Sequence, residues 1–143
     1  MTPTQEHETV RDRMSNHVVT MPASETLDHA AQVMVERGVG SAVVMKGRNI
    51  EGIITERDVL RAVAHGLVPW STNVSDCMTA DPATVSPTTG AGAALRMMLD
   101  NNYRHLPVVE NGGLVGIVSL RDLAGVAATD EDVDTPASEP ALG

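Results

Sequence analysis

Two carboxylates occupy positions from which they could do chemistry. Asp58 closes the stretch "TERD" three residues after Thr55, and Asp122 closes "SLRD" three residues after Ser119. Each hydroxyl ends an apolar run of strand type, and each aspartate stands where a helix would begin. An ionised carboxylate has two acceptor oxygens, so one such group can hold both hydroxyls of a cis-diol. The first turn of a helix adds unpaired N–H groups and the positive end of a dipole, which suit a phosphate. A strand-to-helix corner of this kind can grip a sugar and the phosphate beside it. The same spacing is also that of a capping box, in which hydroxyl and acid satisfy each other's backbone N–H. Both roles stay open for both pairs.

Arg57 and Arg121 lie within the same corners, where each could reach a phosphate or simply be solvated or paired with a nearby acid. Other chemistry finds little support. His7, His17, His29 and His65 have no metal-ligand spacing with one another or with Cys77. Cys77 has no base at a recognisable interval, so a buried or idle thiol is the simpler reading. Met34 and Met98 fall at matching positions of the two copies with Met97 beside Met98, which fits packing better than copper binding. Paired catalytic carboxylates, a nucleophile elbow and a phosphate loop are all missing, so no enzyme is expected.

The elements that position the corners occur twice. Sliding the chain by 64 positions aligns Val10 with Val74, and continues without a gap to Ala64 with Ala128. "VRDRM" at Val10 becomes "VSDCM" at Val74, and "GIITERD" at Gly52 becomes "GIVSLRD" at Gly116. Leu27, Ala30, Ala31 and Met34 recur at i, i+3, i+4 and i+7, as do Ala91, Ala94, Leu95 and Met98, so each copy predicts an amphipathic helix. "SAVVM" and "IEGIIT" then predict a hairpin, repeated by "HLPVV" and "LVGIVS" around "ENGG". A strand near residues 18–20 is expected before the first helix. A second helix is expected over 56–65, with Val59, Leu60 and Val63 as its apolar face and Gly66 to end it, and a counterpart in the other copy.

The expected fold is therefore α+β: two repeats related by a pseudo-twofold axis, each a small sheet with two helices. Repeat 1 spans residues 10–66 and repeat 2 spans 74–128, with 67–73 as linker, 1–9 as an N-terminal tail and 129–143 as an acidic, disordered tail. Either repeat alone is too small to bury its apolar face comfortably.

Composition narrows the partners. The 143 residues include no Phe and a single Trp, Trp70, and a single Tyr, Tyr103, so the core must be aliphatic and stacking platforms for single-stranded nucleic acid are nearly excluded. The net charge is −9. Five acids fall in the last fourteen residues, and without them the body carries about −4. Duplex nucleic acid and anionic membranes are poor partners for such a surface. One cysteine, no apolar leader and no run long enough to span a bilayer point to a cytoplasmic protein.

These residues resemble the tandem cystathionine β-synthase domain, or CBS pair, also called the Bateman module. The likeness covers residues 10–128 and is carried by the V-x-D-x-M leads, the first helix, "RHLPVV" from Arg104 to Val109, and the twice-written glycine, two apolar residues, Thr or Ser, two residues and Asp. It implies a regulatory module that binds adenosine-bearing ligands, such as AMP, ADP, ATP or S-adenosylmethionine, in two clefts between paired repeats. By that likeness Asp58 and Asp122 accept hydrogen bonds from ribose hydroxyls, and Thr55 and Ser119 contact ribose or phosphate. Segments around Thr20, Met21 and Pro22, and around Thr84 and Val85, border the adenine through backbone groups. Arg104 and His105 occupy a position where relatives carry basic residues, which makes them phosphate candidates, with a strand-edge salt bridge as the alternative.

The first copy has Gly40 and Ser41 in their place and Val43 for Pro107, so the two clefts are expected to differ. The resemblance further implies a homodimer without catalytic cofactor, and the absence of an attached output domain implies signalling in trans to a protein partner. The competing reading is a homodimeric interaction protein whose clefts are vestigial.

Overall fold

The computed structural model describes residues 8–129. They divide into two units, residues 18–82 and residues 8–17 together with 83–129. In the first unit β1 (Thr20–Met21) pairs in parallel with β2 (Ser41–Lys46), which turns back as β3 (Asn49–Thr55). β4 (Thr79–Ala80) lies antiparallel to β3, giving the order β1-β2-β3-β4. Between the strands run α1 (Leu27–Arg37) and α2 (Glu56–Ala64). The expected strand near 18–20 lies slightly later in the chain. Pairing begins where the Val19 carbonyl accepts the Val43 N–H, and it stops at Pro22, which has no N–H to donate.

The second unit contains α3 (Ala91–Asn101), β5 (His105–Glu110) and β6 (Gly113–Ser119). β1 and β4 have counterparts reduced to single bridges, Val85 parallel to Val108 and Ser15 antiparallel to Ile117. Both hairpins close through two residues, Gly47-Arg48 and Asn111-Gly112, and both carry an irregularity at the same point, after Val44 and after Val108. The expected second helix of this copy does not form. A single 3₁₀ turn, Arg121–Leu123, replaces it, because Gly125 adopts φ +87° where the first copy has Arg61 within α2.

The units are cut at different places from the sequence repeats. Val10, at the head of the first repeat, is fully buried with Val85, Leu106, Val108 and Leu123 of the second. Val74, at the head of the second, is buried with Leu27, Val44 and Ile54 of the first. The residues just before these leads also cap the helices. No side chain caps α1 or α3, but Leu27 N–H donates to the Thr72 carbonyl at 2.8 Å and Ala91 N–H to the Glu8 carbonyl at 2.9 Å. The segment expected as linker is thus bound to α1, and Glu8 and Thr9, expected in the tail, are bound to α3. Thr129 N–H likewise donates to Gly92; the rest of the acidic tail, 130–143, lies outside the described residues.

On α2 the inward stripe is Val59 and Ala62, three residues apart, so Leu60 and Val63 turn outward and are 70% and 53% exposed. This corrects the apolar face expected for that helix. Among the described residues no helix is long and apolar enough to cross a membrane.

The repeated glycine and the repeated methionine explain each other. Met78 of one lead lies on Gly52, and Met14 of the other lies on Gly116. A Cβ on Gly52 would come 2.9 Å from the Thr79 carbonyl oxygen, and one on Gly116 would come 2.8 Å from that of Ser15. Backbone cannot swing aside as a methionine tip can. Gly52→Ala and Gly116→Ala are therefore each expected to cost about 1–3 kcal/mol and to lower Tm by several degrees in a thermal melt. An unchanged Tm would mean that the leads do not pack this closely.

Candidate functional site

The first corner is built where β3 meets α2. Thr55 ends the strand opposite Ser41 and keeps an extended backbone, so its side chain reaches into the first turn of the helix. Its Oγ1 accepts the Asp58 N–H at 3.2 Å, while Asp58 Oδ2 accepts the Thr55 N–H at 2.9 Å and the Thr55 hydroxyl at 3.0 Å. The capping box is complete. Asp58 Oδ1 has Arg61 Nη1 at 3.4 Å, so both oxygens of this carboxylate have partners.

The second corner repeats the box in tighter form. Asp122 Oδ2 accepts the Ser119 N–H at 2.8 Å, and Ser119 Oγ accepts the Asp122 N–H at 3.0 Å. Here no donor among the described residues reaches Asp122 Oδ1. Ser119 stands opposite His105 in the hairpin, and Leu120 N–H donates to the Arg104 carbonyl at 2.8 Å, as Glu56 N–H does to Gly40 at 3.0 Å. Arg104, His105, Ser119, Arg121 and Asp122 are thus gathered at one end of one hairpin. Arg104, Arg121 and, in the first unit, Arg57 are exposed, and none forms an ion pair among the described residues.

The segments expected to border a base sit further along each sheet. Thr20 is exposed and Met21 buried on β1, beside Val43 and Val44, with Pro22 exposed just beyond. Thr84 is exposed and Val85 buried, bridging Val108, so the two segments repeat one inside-outside pattern. Their register places Thr20 two residue pairs from the end that carries Thr55, and Met21 and Val85 three pairs from the ends that carry Thr55 and Ser119.

Arg13 and Glu8 also belong to the second corner, although their spacing in the chain did not single them out. Arg13 donates from Nη1 to the carbonyls of Asp122 at 3.0 Å and Ala124 at 3.1 Å, and from Nη2 to Glu8 Oε1 at 3.1 Å. The Glu8 hydrogen bond holds the guanidinium pKa above its ordinary value. The signal available was the contrast between "VRDRM" and "VSDCM": Cys77 stands where Arg13 does. Among the described residues no group of three His, Cys, Asp or Glu side chains is placed to hold a metal ion.

Known proteins resemble this chain in both sequence and structure. The family described as CBS domain matches residues 10–65 and 74–128. An uncharacterized 17.7 kDa protein of Acidianus ambivalens is 41% identical over 109 residues, 75% of this chain, which spans less than two thirds (65%) of that protein's own length. The CBS domain-containing protein YhcV of Bacillus subtilis is 34% identical over 116 residues, 80% of this chain and 82% of YhcV. Among solved structures, a CBS domain protein of Pyrobaculum aerophilum complexed with AMP superposes with a TM-score of 0.75 at 30% identity, covering 82% of this chain and 91% of that one.

Cys77 offers an independent probe of the first corner. Burial pushes its thiol pKa up, and the charges of Asp76 and Asp58 push it further. Because the thiolate is the reactive form, alkylation by iodoacetamide at neutral pH is expected to be slower than for a free thiol, with its pH midpoint displaced upward. Asp58→Asn should bring that midpoint back toward the ordinary value. Asp76→Asn should lower it more than Asp58→Asn does, and the reverse order would place the Asp58 carboxylate nearer the thiol than it stands here.

Proposed function

The chain belongs to the CBS domain family, and on that premise we propose that it is a regulatory module that binds an adenosine-bearing ligand at the corners carrying Asp58 and Asp122. It carries no chemistry of its own and signals to a protein partner in trans. The observation that carries this reading is the Pyrobaculum protein complexed with AMP, similar over 82% of this chain. The geometry supports it through Asp122, whose Oδ2 serves the cap while no donor among the described residues takes up Oδ1, the oxygen a ribose hydroxyl would use. Arg104 and Arg121 lie at the same hairpin end, and neither forms an ion pair among the described residues. Cap and grip are compatible, since a carboxylate offers about four lone-pair sites. The first corner is the weaker of the two, because Arg61 already approaches Asp58 Oδ1 and Gly40 and Ser41 replace Arg104 and His105.

A ligand that binds only the folded state stabilises it, so a thermal scan with AMP, ATP and S-adenosylmethionine tests the proposal. At about a hundred times its dissociation constant a true ligand adds roughly 2.7 kcal/mol and raises Tm by several degrees. Asp122→Asn keeps an acceptor for the cap and removes the charge, so it should abolish most of the shift while moving the ligand-free Tm little. Loss of ligand-free stability with affinity intact would reduce the pair to a cap. No shift with any adenosyl compound would favour the second reading.

That second reading is a homodimeric interaction protein, and the outward face of α2 supports it. Leu60 and Val63 share one side of the helix, and Trp70 beyond it is 72% exposed. A self-associating face of this kind fits the nucleotide-binding reading as well. Sedimentation of Leu60→Glu should show a monomer where the parent chain shows a dimer; an unchanged dimer would assign the contact to another surface.

A further inference from the structure

We propose that Arg13 is a positioning residue for Asp122, tying the lead segment to the turn that presents the carboxylate. That turn lacks the donors a helix would bring. In α2 the carbonyls of Asp58 and Leu60 lie inside a helix running to Ala64, whose own N–H groups take them. Their counterparts, Asp122 and Ala124, stand in and just after a turn that ends at Leu123, and Gly125 diverts the chain, so no helical N–H arrives. Arg13 donates to those two carbonyls. In the first unit, where the helix supplies the bonds, the matching residue is Cys77, which has no such donors.

The guanidinium is itself held. Glu8 accepts from its Nε and Nη2, the Arg13 and Glu8 side chains are 30% and 25% exposed, and the Glu8 carbonyl takes the first N–H of α3. A planar fork bound to one carboxylate and two carbonyls has little freedom left, and it fixes the backbone of Asp122 directly. Lysine, with a single point of charge, cannot span the same three acceptors. Arg13 therefore replaces a missing helix as the support of the second corner.

This rests on reading Asp122 as a ribose acceptor, so the experiment has one arm that does not. In the ligand-free protein, Arg13→Ala should speed hydrogen exchange of the Ser119 and Asp122 amides by about tenfold relative to the Val108 and Val118 amides of the same hairpin. Arg13→Lys should do so partly, and Arg11→Ala, which breaks the exposed pair with Glu110, should not. Equal acceleration at all four amides, or none at Ser119 and Asp122, overturns the proposal. In the second arm AMP is titrated in an Asp58→Asn background, which leaves one intact carboxylate corner. Arg13→Ala and Arg13→Lys should weaken binding by about tenfold, and neither should weaken it further once Asp122→Asn is present. Additive losses, or no loss, overturn the proposal. If the parent chain binds neither AMP, ATP nor S-adenosylmethionine, the ribose reading fails, and the exchange rates alone decide the role of Arg13.

Discussion

The exchange of lead segments is the constraint on which the rest of this structure depends. Each hairpin needs a fourth segment along its outer edge, and each long helix needs an acceptor for its first N–H. In both units the edge segment is the head of the other sequence repeat, and the acceptor, Thr72 or Glu8, lies just before that head. Val10 and Val74 bury completely in cores made mostly from the opposite repeat. Met14 and Met78 then lie on glycines whose lack of a side chain is what allows the approach. Neither repeat can complete its own sheet, cap and core, so the two must fold as one interdependent chain.

That interdependence places the two carboxylates on similar but unequal supports. Thr55 with Asp58 and Ser119 with Asp122 form the same reciprocal cap, which settles how each strand ends and why each aspartate faces back toward it. Beyond the cap the two copies part. The first continues into a helix, and Arg61 on its next turn approaches the carboxylate. The second meets Gly125 and gives up the helix, and among the described residues no donor reaches Asp122 Oδ1. Arg13 reaches in from the lead to take the carbonyls that the helix would have used. The two copies of the motif thus differ at two matched positions that bear on the corner, Arg61 against Gly125 and Cys77 against Arg13.

Local features were legible in the residues. The 64-residue interval, both hairpins and both first helices are set by spacing alone, because a turn or a period is decided by neighbours in the chain; the spacing of the two Thr/Ser–Asp pairs allowed the cap that the structure forms. The left-handed positions are an instance: Gly38 and Gly47 recur as Asn102 and Asn111, exchanging the two residue types that tolerate positive φ. Misreadings fell where a local pattern had two solutions. The helical period of α2 permitted Val59, Leu60 and Val63 as a face, but the core took Val59 with Ala62. Symmetry of sequence promised a fourth helix, which one glycine cancels.

The sequence by itself determined that this chain is a duplicated α+β pair with a hydroxyl and an aspartate three residues apart at the end of each hairpin, since those properties depend on residues close together in the chain. Only the tertiary structure decided which lead completes which core, that Arg61 approaches one aspartate, and that Arg13 supports Asp122 from 109 residues away. Contacts of that range are chosen by packing and by the demand that every buried backbone group find a partner. No local period encodes that demand.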